Sequence, residues 1–319
     1  MIIRQLLQRF FYIFLTMLLA SVVVFLITNV VPGDPASFMM GLNASPEAIA
    51  AVREDLGIDQ PLLVRYVDWV LSMLRGDFGV SYTYRVPVGA LLSERLTVSL
   101  PLALYAFVLS SAIGMTLGIA AAYFHRKNVD TLILTTSQLG LAIPNFWLAL
   151  MLVFIFAMGL QWVPAGGFPG WNAGFLTALS ALTLPALALG LPQAAILARI
   201  TRTSLLDVLS SDYIRTARAK GLSRFSVLLR HGLRNGMIPI LTILGMQFSF
   251  LLAGAVIVEK VFFLPGLGQL LVQAIAQRDL IVVQSTIMVF IASVLIISFL
   301  VEALYLWIDP RLRSRGGDR

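Results

Sequence analysis

The chain of 319 residues is 59% hydrophobic and only 12% charged, with a mean hydropathy of +0.89, so its polar residues are too few to cover a water-facing surface and a soluble protein is excluded. The absence of cysteine rules out disulfides, thiolate catalysis and Cys-ligated metals, and two histidines, His125 and His231, leave no His-rich metal site. A net charge of +7 and a pI near 10 would point to nucleic acid in a soluble protein; beside membrane spans such charge follows from insertion topology, and no nucleic-acid partner is expected.

Crossing about 30 Å of hydrocarbon takes roughly 20 apolar residues in a helix, because each backbone amide must be paired within its own segment. Six stretches qualify, at about 9–31, 97–123, 132–160, 176–198, 238–258 and 281–308. The first follows Arg4 and Arg9 as a signal peptide would, but its apolar part is too long and no A-x-A site follows, so it reads as an uncleaved anchor. Residues 32–96 hold eight acidic and five basic residues and turn signals such as Pro32-Gly33-Asp34-Pro35. A segment this long is expected to fold as a small helical extracytoplasmic unit. The second span contains Gly114 and Gly118 in a G-x-x-x-G, which permits close helix contact and also recurs by chance. The third carries Pro144 near its middle and is read as one kinked or tilted crossing. Loops 161–175, rich in Pro, Gly and Trp, and 259–280 follow on the outer side.

Six crossings place both termini on one side. Arg4, Arg9, Arg126, Lys127, eight basic residues between 199 and 234, and Arg311, Arg313, Arg315 and Arg319 share that side, against seven on the other. The richer side is cytoplasmic by the retention of Lys and Arg. The basic loop after the fourth span spaces Ile214, Ala217, Leu222, Phe225 and Leu228 by about three and four residues, with Gly221 interrupting. This predicts two short amphipathic helices meeting at a glycine. On pattern alone two readings stand: a surface helix gripping anionic lipid, or a docking element for a cytoplasmic protein.

The stretch DYIRTARAKGL, 212–222, resembles the cytoplasmic coupling loop of the membrane subunits of binding-protein-dependent ABC importers, in the oligopeptide, dipeptide and nickel branch. VVPGDPA around Val31, GIDQPLLVRYVDWV, GDFGVSY, IPNFWLALMLVFIFA, VEKVFFLPGLGQLLVQAIAQRD and the terminal IDPRLR are similar to the same branch, so the likeness covers nearly the whole chain. The general loop pattern of these importers is E-A-A, three residues, Gly, nine residues and I-x-L-P. Here Arg215 and Thr216 stand at its first two positions, Gly221 is kept, His231-Gly232-Leu233-Arg234 replaces I-x-L-P, and the proline comes at Pro239.

The resemblance implies an all-α polytopic protein with six transmembrane helices and the type I ABC importer permease fold. Its expected parts are 1–31 (first helix), 32–96 (extracytoplasmic insertion), 97–310 (core with coupling loop 199–237) and 311–319 (cytoplasmic tail). It implies a multi-pass protein of a bacterial inner membrane, a second and different homologous permease, two cytoplasmic ATPase subunits and an extracytoplasmic substrate-binding protein as partners, with membrane lipid around them. The chain has no G-x-x-x-x-G-K-[ST] loop around Lys127, Lys220 or Lys260. It is therefore not an enzyme, and ATP and Mg belong to the partner subunits.

Tyr213, Arg215, Thr216, Ala217, Arg218, Ala219, Lys220, Gly221 and Leu222 are the expected coupling residues, with Ala217, Ala219 and Gly221 permitting close approach and the basic residues on the rim. Glu259, Lys260, Pro265, Gly266, Gly268, Arg278 and Asp279 form a candidate outer gate or docking surface for the binding protein, against the simpler reading that these charges pair and cap helix ends. Gln138, Asn145, Gln193 and Gln247 either line the pathway or bond helix to helix. Glu302, about two turns from Asp309, reads as an interfacial or paired carboxylate, and the methionines as core filler. An ion-coupled secondary transporter or an intramembrane hydrolase would need mid-membrane charges or catalytic motifs that the spans lack. Peptides are the default cargo of the branch; nickel chelates, glutathione and opine-like solutes are the alternatives.

Overall fold

The computed structural model describes residues 2–30, 45–55, 57 and 59–308, with side chains for 7–29, 45–54, 57 and 59–301. Pro32–Pro35, most of VVPGDPA, the Glu302 side chain, Asp309 and the 311–319 tail lie outside the described residues. What is described is helical: α1 (Ile2–Val30), α2 (Pro46–Asp55), α3 (Leu62–Leu74), α4 (Val88–Tyr123), α5 (Asn128–Ala142), α6 (Asn145–Leu152, continued to Gly159 by a π turn), α7 (Phe175–Leu209), α8 (Asp212–Ala219), α9 (Arg224–Val261), α10 (Leu267–Ala276) and α11 (Leu280–Ile308).

Five of these helices are long and apolar enough to cross a membrane, and six spans result if the α5–α6 pair is one broken crossing. α1 shows the solvent that such a helix expects: Phe10, Phe11, Phe14, Leu19 and Val23 are all exposed around its surface, as apolar side chains are where lipid covers them. Prolines stand inside α4 (Pro101), α7 (Pro185, Pro192) and α9 (Pro239) without ending them. Around Pro144 the outcome is different and corrects the single kinked helix. Ile143 is extended (φ −85, ψ 123), as a residue before proline prefers, and α5 and α6 meet at 106°. Each piece, 15 residues long, reaches only about 22 Å, too short to cross alone.

Two compact units divide the chain, residues 1–98 with 266–299, and residues 99–265 with 300–312. In the first, Val88, Leu92, Leu267, Leu270, Ala274, Val282 and Val283 form a buried apolar cluster joining the start of α4 to α10 and α11. Beside it, α3 lies on α1 through Phe25, Tyr66 and Trp69, and the Ser21 and Tyr66 hydroxyls are 2.8 Å apart. Gln284 Nε2 donates to Thr28 Oγ1 at 2.5 Å, tying α11 to α1.

In the second unit α7 is the central helix, with α4, α5, α6 and α9 around it. Its close approach to α4 depends on glycine. A Cβ on Gly114 would meet Ala194 O at 2.7 Å, and one on Gly118 would meet Thr201 Cβ at 2.5 Å and Ala198 O at 2.6 Å. The G-x-x-x-G is thus a contact surface that only the absence of a side chain allows.

Candidate functional site

The basic segment folds as a short helix seated on the ends of two long ones. Ser211 is extended (φ −71, ψ 150) ahead of α8, Asp212 sits in its first turn and Arg218 in its last, an order that suits the helix dipole. Gly221 stops it. Its φ is +83, and its N–H donates to Arg218 O at 2.9 Å, the left-handed termination for which glycine is the least strained residue. A Cβ there would meet nothing within 4 Å, so the glycine is required by backbone conformation and by no contact within the chain. Ser223 then caps α9, accepting from Ser226 N at 3.3 Å. The second of the two expected short helices is corrected: α9 starts at Arg224, passes through a π turn at Leu228–Leu233 and runs unbroken to Val261.

One face of α8 is anchored and the other is free. Ile214 and Ala217 are buried with Val227 against Leu209 and Leu222, while Leu228 is buried with Ala122 and Leu205. This small apolar nucleus joins α8 to the end of α7 and the beginning of α9, and α9 to α4. The Asn235 amide of α9 donates to the Tyr213 hydroxyl at 3.0 Å, and Ser204 Oγ donates to Gly236 O at 2.7 Å. Arg215, Thr216, Arg218, Ala219, Lys220 and Gly221 are exposed, as is about half of Tyr213. Asp212 and Arg215 form an exposed pair at 3.4 Å, worth little in water. Ala217, expected at the surface of approach, faces its own fold.

A cluster that the sequence reading missed lies behind this segment. Arg202 near the end of α7 grips Asp130 of α5 with Nε at 2.6 Å from Oδ1 and Nη2 at 2.8 Å from Oδ2. His125 Nδ1 lies 3.2 Å from Asp130 Oδ2, and Arg126 N donates to the same oxygen at 3.1 Å. The signal was available: Asp130 is an acidic residue among the cytoplasmic-side cations, five residues after His125.

The expected outer-loop residues fall in both units. In the second, Glu259 is fully buried and accepts from Ser99 Oγ at 2.5 Å, while its carbonyl accepts from Leu264 N at 2.9 Å. Gly166 lies so close that a Cβ would be 2.6 Å from Phe262 O, and Gly167 N donates to that oxygen at 2.8 Å. Lys260 is exposed, Pro265 half-buried, and Phe263 is 75% exposed with φ +51. In the first unit, Gly266 and Gly268 are buried at the start of α10 and Arg278 is exposed. Asp279 is fully buried: Oδ2 accepts from Ser81 Oγ at 2.5 Å and Thr83 N at 3.0 Å, and Oδ1 from Val282 N at 3.4 Å. This carboxylate caps α11 and clamps the loop on either side of Tyr82. Burial, reinforced by the Asp279 charge and opposed by Arg65, pushes the Tyr82 phenol up to about 12.

The four span amides separate. Gln247 is buried and donates to Ser110 Oγ, joining α9 to α4. Asn145 and Gln193 are half-buried and Gln138 is exposed.

Comparison with known proteins adds two matched regions, residues 2–103 to the N-terminal portion described as a binding-protein-dependent transport system membrane component, and residues 114–314 to the binding-protein-dependent transport system inner membrane component. A putative peptide transport system permease protein of Brucella abortus is 43% identical over 298 residues, 93% of this chain and 95% of that protein. A glutathione transport system permease protein of Salmonella typhimurium is 41% identical over 313 residues, 98% of this chain and 100% of that protein. Among solved structures, the MetNI methionine ABC transporter in inward-facing conformations shares the fold at a TM-score of 0.57 and 15% identity, over 69% of this chain and 96% of that one.

Proposed function

Because the chain belongs to the family of binding-protein-dependent transport system inner membrane components, as an ABC importer permease of the peptide branch, we propose that it forms half of the translocation pathway of an ATP-driven importer for peptides. The observation that carries this reading is the match, over more than nine-tenths of both chains, to a relative named for peptide transport. A second cargo, glutathione, is favoured by the equally extensive match to a relative named for it.

The proposed machine has this chain beside a second, non-identical permease in a bacterial inner membrane, with both termini in the cytoplasm. A binding protein delivers the solute from outside, and two ATPase subunits bind ATP and Mg inside. The exposed rim of α8, from Tyr213 to Lys220, enters a cleft on one ATPase subunit. When nucleotide closes the ATPases, the displacement passes through Ile214, Ala217 and Val227 to α7 and α9 as a rigid-body movement, which needs a stiff connection and no reactive group. Asp212, Arg215, Arg218 and Lys220 supply charge at the contact, in place of the Glu of the general pattern.

Deleting the gene and measuring uptake of radiolabelled di- and tripeptides and of glutathione tests the reading. Loss of uptake of either class, restored by the wild-type gene, is expected. Unchanged uptake of both would overturn the assignment of cargo, and failure of the chain to co-purify with an ATPase subunit would overturn the machine.

A further inference from the structure

We propose that the first compact unit carries a binding site for a small zwitterion, formed where the end of α1 and the start of α11 meet α3 and the Tyr82 loop. The pocket there has a volume of about 350 Å³, within the range of small-molecule sites. Arg65 is the one cation among its lining residues, and Glu54 and Asp68 are the carboxylates. Among the described residues, none of these three side chains has a hydrogen-bond or ion-pair partner. Opposite charges that share a cavity without pairing leave it with separate positive and negative ends. A simple anion entering it meets two carboxylates, and a simple cation leaves Arg65 unanswered. A molecule bearing both an ammonium and a carboxylate or phosphate satisfies all three.

The walls fit the same chemistry. Phe25 and Trp69 line the pocket with ring centroids 5.8 Å apart, and Tyr82 lies in it as well, giving faces that attract an ammonium group. The Tyr82 hydroxyl, which has no hydrogen-bond partner among the described residues, stays protonated at neutral pH because its phenol is pushed up to about 12, and is a donor for the anionic end. Its loop is held firm, since the Asp279 carboxylate binds both Ser81 and Thr83. Asn29, the last residue of the first span, is part of the lining, so the pocket stands at the boundary of the bilayer, on the side that the Lys/Arg asymmetry assigns to the cell exterior. Two sources of one chemistry reach that level: an ethanolamine phospholipid headgroup, and a free amino-acid or peptide zwitterion.

The test uses the full chain co-purified with its partner subunits in detergent, and saturation-transfer NMR with four soluble probes: glycerophosphoethanolamine, glycylglycine, glycerol phosphate and ethylammonium. At least one zwitterion is expected to bind and the two singly charged probes to bind more weakly. Arg65→Gln and Asp68→Asn are each expected to weaken the zwitterion about tenfold, as loss of one charged hydrogen bond does. Both side chains are at least partly solvent-exposed, so the variants should elute and melt as the wild type does. Preference for glycerophosphoethanolamine would assign the site to lipid, and preference for glycylglycine to a solute. Absence of zwitterion binding, or equal affinity in wild type and both variants, would overturn the proposal. The readout is equilibrium binding and is independent of whether the complex transports peptides.

Discussion

Arg202 holds Asp130 by two donors, Nε at 2.6 Å and Nη2 at 2.8 Å from separate carboxylate oxygens, across 72 residues of sequence. The Asp130 side chain is 5% exposed and that of Arg202 18%, so the pair is shielded from the water that makes surface ion pairs weak. Asp130→Ala would leave the guanidinium without its partner and is expected to cost about 3 kcal/mol, lowering the melting temperature of the purified complex. Arg202→Lys keeps the charge but loses the second donor, and should fall between. A melting temperature unchanged in Asp130→Ala would show that the pair holds nothing together.

Gly221 yields a prediction about conformation as against bulk. With φ at +83 and open space where a Cβ would point, the penalty for a side chain is set by backbone strain, about 1 kcal/mol or more for most residues and least for Asn. Gly221→Asn should therefore retain more coupled transport than Gly221→Ala, and Gly221→Val the least, all three remaining inserted in the membrane. The ratio of solute transported to ATP hydrolysed measures this. Equal loss in all three would mean that a partner surface, and no intrinsic strain, excludes the side chain.

The contact of α4 with α7 should reject any side chain at Gly118. Thr201 Cβ and the Ala198 carbonyl stand 2.5 and 2.6 Å from where a Cβ would be, and backbone cannot yield as a side-chain tip does. Gly118→Ala is expected to destabilise by about 1–3 kcal/mol. Gly140→Ala, with its nearest neighbour at 4.0 Å, serves as the tolerated control, and thermal unfolding of both variants decides the matter.

Asp279→Ala removes the acceptor of Ser81 Oγ and Thr83 N together. Each buried donor left unpaired costs about 1–3 kcal/mol, so the loop bearing Tyr82 should loosen and become the first site of limited proteolysis. Ser81→Ala deletes one of the two bonds and should show the smaller effect. Protection from protease equal to wild type in Asp279→Ala would count against the clamp.

Tyr82 supplies a pH dependence. Its folded value of about 12 lies above the ordinary 10.0, so the unfolded chain releases this proton first. Its contribution to stability is complete below pH 10, declines as pH rises from about 10 to about 12, and is constant beyond. Tyr82→Phe should flatten that decline relative to wild type in thermal unfolding scans across this range. Parallel curves for the two proteins would contradict it.

Much of the architecture was legible because lipid imposes a simple rule: a helix that crosses must be apolar over about 20 residues and pair its own amides. Hence the first, second, fourth, fifth and sixth spans were found by composition. The third was misread because hydropathy averages over Pro144, whereas the bend of 106° arises from the local steric effect of proline on Ile143. The interruption at Gly221 was legible because only glycine enters that backbone region readily. The unbroken start of α9 was not, since its π turn has no marked residue pattern.

Identity of the outer and span polar residues was likewise on the page, but their roles were not. Glu259 and Asp279 read equally well as gate charges or as caps; their complete burial and their bonds to Ser99, Ser81 and Thr83 place them inside their own units. Gln247 could have faced a pathway and instead bonds Ser110. Composition, periodicity and charge asymmetry decided by themselves that this chain lives in a membrane, where it crosses and which loop is basic, because those properties depend on residues a few positions apart. Which polar groups meet across 70 to 200 residues, and which pair of unanswered charges is left facing a cavity, depends on how helices approach one another in space, and only the tertiary structure decided it.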